Sequence, residues 1–348
     1  MHLMSFVVEG RYVWDFWTVR NGDTTHLYYL NASRELPHPD DRHTSAVIGH
    51  ATSRDLVTWT DHGQCLGPSA APAWDDGTTW TGCTLRRPDG QWMMFYTGTT
   101  STGGINLQRI GAALSSDLHQ WTKLPGNPLL TTDTRWYETY DFNATGERPW
   151  HDEAWRDPWV YPDPAGQGWR MLLTARETSG PDRGRGVIAQ ASSPDLITWT
   201  AEAPFFRNGH FGEMEVPQLF EIDGWWYCLF SNAARNQAAC YRPVSDQSRM
   251  SGTHYLRSRS PRGPFEMCEE RFFAGDPAWR LYAGRMVLGY DGKPKLMAFL
   301  NTLPDGRFGG TLTDAMPMWR TPDGRLRADA RAHGINLSKD DIATMPSD

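Results

Sequence analysis

Apolar residues in this chain come in short runs, dense in aromatics, that return at intervals. "THLYYLNA" (25–32), "GQWMMFYTG" (90–98), "GWRMLLTA" (168–175) and "GWWYCLFSN" (224–232) share the pattern, and "GRMVLGYDGKPKLMAF" (284–299) is a less regular fifth copy. Aromatic and β-branched residues suit a pleated, half-buried surface, so these runs read as strands. A second element follows the first copies: "SRDLVTW" (53–59), "SSDLHQW" (115–121), "SPDLITW" (193–199) and a weaker "SPRGPF" (260–265). It supplies a small polar turn residue, then an apolar one, then an aromatic to anchor the next strand. Helical periodicity is weak throughout.

Successive copies lie roughly sixty to eighty residues apart, longer than the ~40–50 of compact propeller repeats and enough for four strands with generous loops. Five such units predict an all-β chain, a five-bladed β-propeller with four-stranded antiparallel blades around a central funnel. A blade alone cannot bury both faces, so neighbours must stack around an axis. A pair of β-sandwiches does not account for a repeated unit with one internal order. With no Gly/Ser- or Pro-rich linker in view, residues 1–330 are expected to form one propeller domain, and the polar residues 331–348 a loosely attached tail.

The net charge of −7 argues against a nucleic-acid partner and against a polybasic membrane surface. No apolar run is long enough to span a bilayer. The opening "MHLMSFVVEGRYVW" lacks a basic segment followed by a long apolar one, and five cysteines (65, 83, 228, 240 and 268) are scattered without a CxxC pair. Reduced thiols in a cytoplasmic protein are the expectation. Seventeen tryptophans suit sheet packing and also offer flat faces that stack on sugar rings.

In a propeller, the innermost strand of each blade delivers side chains to a shared funnel, so acids far apart in sequence can meet. Three acids sit in unusual settings: Asp15 in "YVWDFW", Asp157 in "EAWRDPWVY" and Glu215 in "GEMEVPQLFEIDGWWY". Their spacings, about two repeats and one repeat, assign them to blades one, three and four. Pro158 biases Asp157 towards an extended backbone. Taken singly each has a bland reading: "RDP" is a common tripeptide that caps turns, and an Asp among tryptophans can be a buried hydrogen-bond acceptor. Together they repel, so some must hold their protons more tightly than usual. Glycoside cleavage uses that condition, with one carboxylate ionised as nucleophile, one protonated as donor, and a third binding sugar hydroxyls. Arg156 is the donor expected to keep Asp15 ionised.

These segments resemble the five-bladed-propeller fructosidase clan of invertases, levanases and levansucrases. "VWDFW" resembles the nucleophile segment of the levansucrase branch, "WTG" (80–82) the clan's Trp-Ser-Gly element, "WRDP" (155–158) its Arg-Asp-Pro motif, and "EVPQLF" (215–220) its acid/base segment. The resemblance implies Asp15 as nucleophile, Asp157 as transition-state stabiliser and Glu215 as acid/base, with Glu213 its rival. It also implies Trp14, Trp80 and Arg156 lining the sugar subsite. The chain departs from the clan in three ways. It lacks the Asn-Asp-Pro-Asn-Gly loop of the invertase branch. Val216 replaces the Cys or Arg that often follows the acid/base. The length after Glu215 suffices for the propeller without a C-terminal β-sandwich.

Arg235, a short way past Glu215, is a further candidate for binding substrate or the acid/base, with an ordinary loop arginine as the bland reading. "HPDDRH" (38–43) and "HDE" (151–153) contain metal-capable side chains without recognised ligand spacing and read as solvated loops, the second near the funnel rim. "GRG" (184–186) lacks the strand–helix setting of a nucleotide site. The expectation is therefore a retaining β-fructofuranosidase-like glycosidase with a small sugar or oligosaccharide as its partner and no metal or cofactor. Its rivals are an inverting arabinofuranosidase or xylosidase on the same propeller, and a propeller that binds sugar without turnover.

Overall fold

The computed structural model of the chain describes residues 6–102, 105–140, 150, 152–242, 249–268 and 271–346. Blade I comprises β1 (Arg11–Asn21), β2 (Thr24–Ser33), β3 (Val47–Ser53) and β4 (Thr60–Leu66). Blade II comprises β5 (Thr78–Arg86), β6 (Trp92–Thr102), β7 (Ile105–Ser115) and β8 (Thr122–Lys123), with β9 (Asp152–Glu153) added in parallel to β7. Blade III holds β10 (Trp155–Pro162), β11 (Trp169–Arg176), β12 (Gly186–Ser193) and β13 (Thr200–Phe206). Blade IV holds β14 (Glu215–Ile222), β15 (Trp225–Asn232), β16 (Ser251–Ser258) and β17 (Glu266–Met267), with β18 (Ala274–Asp276) also pairing β16. Blade V holds β19 (Leu281–Leu288), β20 (Pro294–Leu300), β21 (Met316–Arg320) and β22 (Leu326–Ala328). Within each blade the strands pair antiparallel in chain order.

Both sequence repeats have a structural meaning. The first four aromatic runs are the second strands β2, β6, β11 and β15, and the fifth, less regular one spans the β19–β20 hairpin. The S-x-D-L-x-x-W repeats are the outer hairpin turns of blades I to III, built the same way each time. Ser53 Oγ accepts from the N–H groups of Asp55 and Leu56, and Asp55 Oδ1 accepts from those of Val57 and Thr58. Ser115 with Asp117, and Ser193 with Asp195, repeat these bonds. The leucine between takes a positive φ (62° at Leu56, 68° at Leu118, 70° at Leu196) and points into the core. Backbone bonds to the carboxylates offset that uncommon conformation and hold all three aspartates below their usual range.

The first strands touch in the order β1, β5, β10, β14, β19 and back to β1, which closes the ring. Phe6 bridges to Leu312, and Val13 N donates to Gly310 O at 2.9 Å, so the chain start is fastened to blade V. The apolar clusters lie largely between neighbouring blades, as expected when each sheet needs its neighbours for burial. The polar stretch after blade V is held against it. Arg327 bonds Asp341 of α1 (Lys339–Ala343), and Trp319 Nε1 donates to Thr344 at 3.2 Å. All five cysteines are free thiols. No helix among the described residues is long and apolar enough to cross a membrane.

Candidate active site

Every first strand carries an irregularity near its funnel end. In β1, Trp14 and Asp15 face the single Leu30 of β2, because Val13 pairs with Asn31 and Phe16 with Tyr29. In β10, Asp157 and Pro158 face Leu173; in β14, Val216 and Pro217 face Phe230; in β19, Ala283 and Gly284 face Ala298. In β5 the extra residue is Thr81. Such bulges bend a strand and re-aim its side chains. Here they repeat around the axis, so Arg156, Glu215 and Tyr282 occupy one position in successive blades, and Asp157, Val216 and Ala283 the next.

Asp157 is not extended. Its φ is +59°, matched by +49° at both Val216 and Ala283, because the bulge overrides the bias from Pro158. In that conformation its N–H donates to Thr97 Oγ1 at 3.0 Å, and its carboxylate accepts from Thr174 Oγ1 at 2.7 Å and Val216 N at 3.1 Å. Asp15 accepts from Thr81 Oγ1 at 3.1 Å. Thr81 is the middle residue of "WTG", and Gly82 beside it is required, since a Cβ there would lie 2.0 Å from Phe95 O. Glu215 accepts from Arg156 Nη2 at 3.0 Å and from the Tyr282 hydroxyl.

Asp15 is half-buried, with its carboxyl ringed by protein. Burial, then the charges of Asp157 and Glu215, push its pKa up to about 7 against the pull of Thr81 and Arg285. Arg156 makes no ion pair with Asp15 and is occupied with other carboxylates. It is 6% exposed, with its guanidinium on Glu213 (2.6 Å), Glu215 (3.0 Å) and Asp152 (3.3 Å). Glu213 also accepts from Arg176 at 3.3 Å and Asn236 at 2.9 Å. Its side chain is 9% exposed against 22% for Glu215, so Glu215 is the one that faces the funnel. Asp152 binds Arg176 as well, at 2.6 Å, so the "HDE" stretch supplies buried scaffolding here; its His151 lies outside the described residues.

Trp80 is partly exposed and donates from Nε1 to His43 O at 3.0 Å. Trp14 is 2% exposed and lies beneath Arg42 and His43, with little face to offer a ligand. Arg235 is exposed, its guanidinium 4.7 Å from the centre of the Trp279 ring. Four residues escaped the sequence reading. "HPDDRH" forms a 3-10 helix (Pro39–Thr44) that buries Arg42 and brings His43 between Trp14 and Trp80. Tyr282 touches Glu215. Arg285 is buried at the axis, and its positive charge is felt by both Asp15 and Asp157.

Fold and site together define a five-bladed propeller with a carboxylate-lined axial funnel. The chain belongs to the glycosyl hydrolases family 32, whose N-terminal domain matches residues 19–303, starting just past Asp15. A fructan 6-exohydrolase of Beta vulgaris is 28% identical over 204 residues, 57% of this chain and 30% of that protein. An insoluble β-fructofuranosidase isoenzyme of Arabidopsis thaliana is 30% identical over 183 residues, 51% of this chain and 27% of the relative. The match thus spans less than a third of either. Among solved structures, an inulosucrase from Halalkalicoccus jeotgali bound to kestose superposes with a TM-score of 0.74 at 20% identity, covering 92% of this chain and 87% of that one. A thermostable family-43 glycoside hydrolase gives 0.63 at 14% identity over the full length of both. At such identities these are likenesses of fold.

Proposed function

We propose that the protein is a retaining glycosidase acting on β-fructofuranosides such as sucrose or short fructans. The observation that carries this reading is the meeting of Asp15, Asp157 and Glu215 on the first strands of blades I, III and IV. Family membership supports a glycoside hydrolase, and relatives described as fructan exohydrolase and β-fructofuranosidase favour a fructosyl substrate. An oxygen of ionised Asp15 attacks the anomeric carbon while Glu215 gives its proton to the departing glycosidic oxygen. Glu215 then takes a proton from water or from a second sugar's hydroxyl, whose oxygen displaces Asp15. Asp157, held by Thr174 and Val216, faces the sugar hydroxyls and the positive charge developing on the ring.

Incubation with sucrose, inulin, levan and aryl β-fructofuranosides tests this, with Asp15→Asn and Glu215→Gln alongside. Turnover by the wild type and its collapse in both variants is expected; equal residual activity in all three sinks the assignment. Product stereochemistry by NMR separates retention from an inverting arabinofuranosidase or xylosidase, and saturable binding without turnover marks a sugar-binding propeller. The raised pKa of Asp15 favours one variant of this mechanism, in which Asp15 donates the proton and Glu215 attacks. Azide rescue distinguishes them. An Asp15→Ala enzyme yields the inverted glycosyl azide if Asp15 is the nucleophile and the retained one if it is the acid.

A further inference from the structure

Away from the funnel, four histidines of blades I and II converge. His26 of β2, His50 of β3 and His62 of β4 lie side by side across the blade, near the end of β1 remote from Asp15, since His26 pairs near Val19 and Thr52 pairs with both His26 and Thr60. His119, from the "SSDLHQW" turn of blade II, meets all three rings edge-on, with centroids 5.5, 4.7 and 5.0 Å from those of His26, His50 and His62. The rings of His26 and His50 stack within 7° of parallel, and those of His50 and His62 lie 4.9 Å apart.

We propose that His50, His62 and His119 form a binding site for one divalent transition-metal ion of the zinc class. One nitrogen from each ring lies within 4.8 Å of the others. A four-coordinate ion with metal–nitrogen distances of about 2.0–2.1 Å needs nitrogens about 3.4 Å apart. His62 is exposed and held by one side-chain bond, Nε2 to Thr52 Oγ1 at 2.9 Å, and His119 is no more than half-buried, so rotation of these two rings towards the buried His50 closes that difference. His26 bonds His50 ring to ring, Nδ1 to Nε2 at 3.0 Å, which is the second-layer contact that orients a ligand imidazole.

Two further observations support an ion there. The adjoining cleft is lined by Asp23, Asp55 and Asp117 against one cation, Arg54, so its field favours a positive guest. An all-imidazole set selects zinc, copper, nickel or cobalt over magnesium and calcium, which prefer oxygen. An ion here joins two strands of blade I, β3 and β4, to the turn of blade II, reinforcing a seam already marked by the bond from Tyr28 OH to Leu118 O at 2.7 Å.

The test uses the full chain without an affinity tag, stripped by chelator and titrated with Zn²⁺ by calorimetry and with Co²⁺ by visible absorption. One equivalent is expected to bind with micromolar or tighter affinity. Co²⁺ should show four-coordinate bands, and Zn²⁺ should raise the melting temperature by a few degrees. His62→Ala and His119→Ala, neither at a buried position, should each weaken binding by about tenfold or more, while His333→Ala on the tail leaves it unchanged. Affinity weaker than about 100 μM, or undiminished binding in a His62→Ala/His119→Ala double variant that melts like the apo wild type, overturns the site. The sugar chemistry of the funnel does not enter these readouts.

Discussion

The backbone N–H of Val216 donates to Asp157 Oδ2 at 3.1 Å, across the seam between blades III and IV. Val216 reaches that position only at φ +49°, a conformation that costs a β-branched residue about 1–3 kcal/mol. Bonds from its amide to Asp157 and to Thr174 at 3.2 Å offset the cost. The strand that begins at Glu215 is therefore registered on Asp157, which ties two funnel acids together across the seam.

Because the negative charge of Asp157 helps raise Asp15, Asp157→Asn has a predictable sign. The amide keeps an acceptor for Val216 but removes the repulsion, so the pKa of Asp15 falls below its wild-type value of about 7. In the mechanism proposed above, Asp15 must be ionised, and the acid limb of the kcat/KM profile should move to lower pH. The rate itself should drop about 10²–10³-fold through loss of charge stabilisation. An acid limb that stays put or moves upward contradicts the coupling.

Arg285 acts in the opposite direction. It is 1% exposed, donates from Nη1 to Pro217 O at 2.9 Å, and its Nε and Nη2 find no hydrogen-bond partner among the described residues. Burial disfavours its charge, and the fields of Asp157 and Asp15 offset part of that cost. Replacing it with methionine, similar in length and uncharged, should raise Asp15 further and shift the acid limb upward. Activity at pH 6 should then suffer more than activity at pH 8.5. A uniform loss at all pH values indicates a purely structural arginine.

Much of this architecture was legible because propellers repeat. Four of the five aromatic runs marked second strands, the S-x-D-L-x-x-W segments proved to be one turn built three times, and the blade interval placed Asp15, Asp157 and Glu215 on their strands. Tyr282 was within reach of the same logic, since "LYAG" on blade V occupies the register of "WRDP" and "EVP". Arg42, Arg285 and the four histidines were not, because nothing local in "HPDDRH" or "SSDLHQW" announces a neighbour on another strand or blade. Trp14 and Arg156 carry the opposite lesson. Their motif positions were recognised, but burial gives Trp14 a packing role and Arg156 the task of holding carboxylates.

The pH dependence of stability gives an independent check on Asp15. Its folded pKa of about 7 lies above its ordinary value of 3.8, so between those limits the folded chain binds the proton that the unfolded chain has released. The stability that Asp15 contributes therefore declines as pH rises from about 4 to about 7, and is lost above that range. Asp15→Asn removes the ionisable group. The variant should match the wild type near pH 4 and exceed it by about 2–4 kcal/mol at pH 8, allowing for the half-buried setting of Asp15. Chemical denaturation at the two pH values measures this, and a variant less stable than wild type at pH 8 refutes it.

Glu213 and Glu215 both bind Arg156, at 2.6 and 3.0 Å, and should separate cleanly on mutation. Glu213 is enclosed by Arg156, Arg176 and Asn236, so Glu213→Ala takes one shared carboxylate from two buried cations, leaving Asp152 to both and Glu215 to Arg156, and should cost about 1–3 kcal/mol of stability. Glu215 is more open and keeps a rim position against Tyr282. Glu215→Gln should melt close to the wild type yet lose about 10²–10⁴-fold in activity on sucrose. The loss should shrink on an aryl β-fructofuranoside whose leaving group needs no proton. Tyr282→Phe removes the hydroxyl that donates to Glu215 and should cut activity less than Glu215→Gln does. If Glu213→Gln shows the leaving-group dependence and Glu215→Gln does not, the acid/base assignment passes to Glu213.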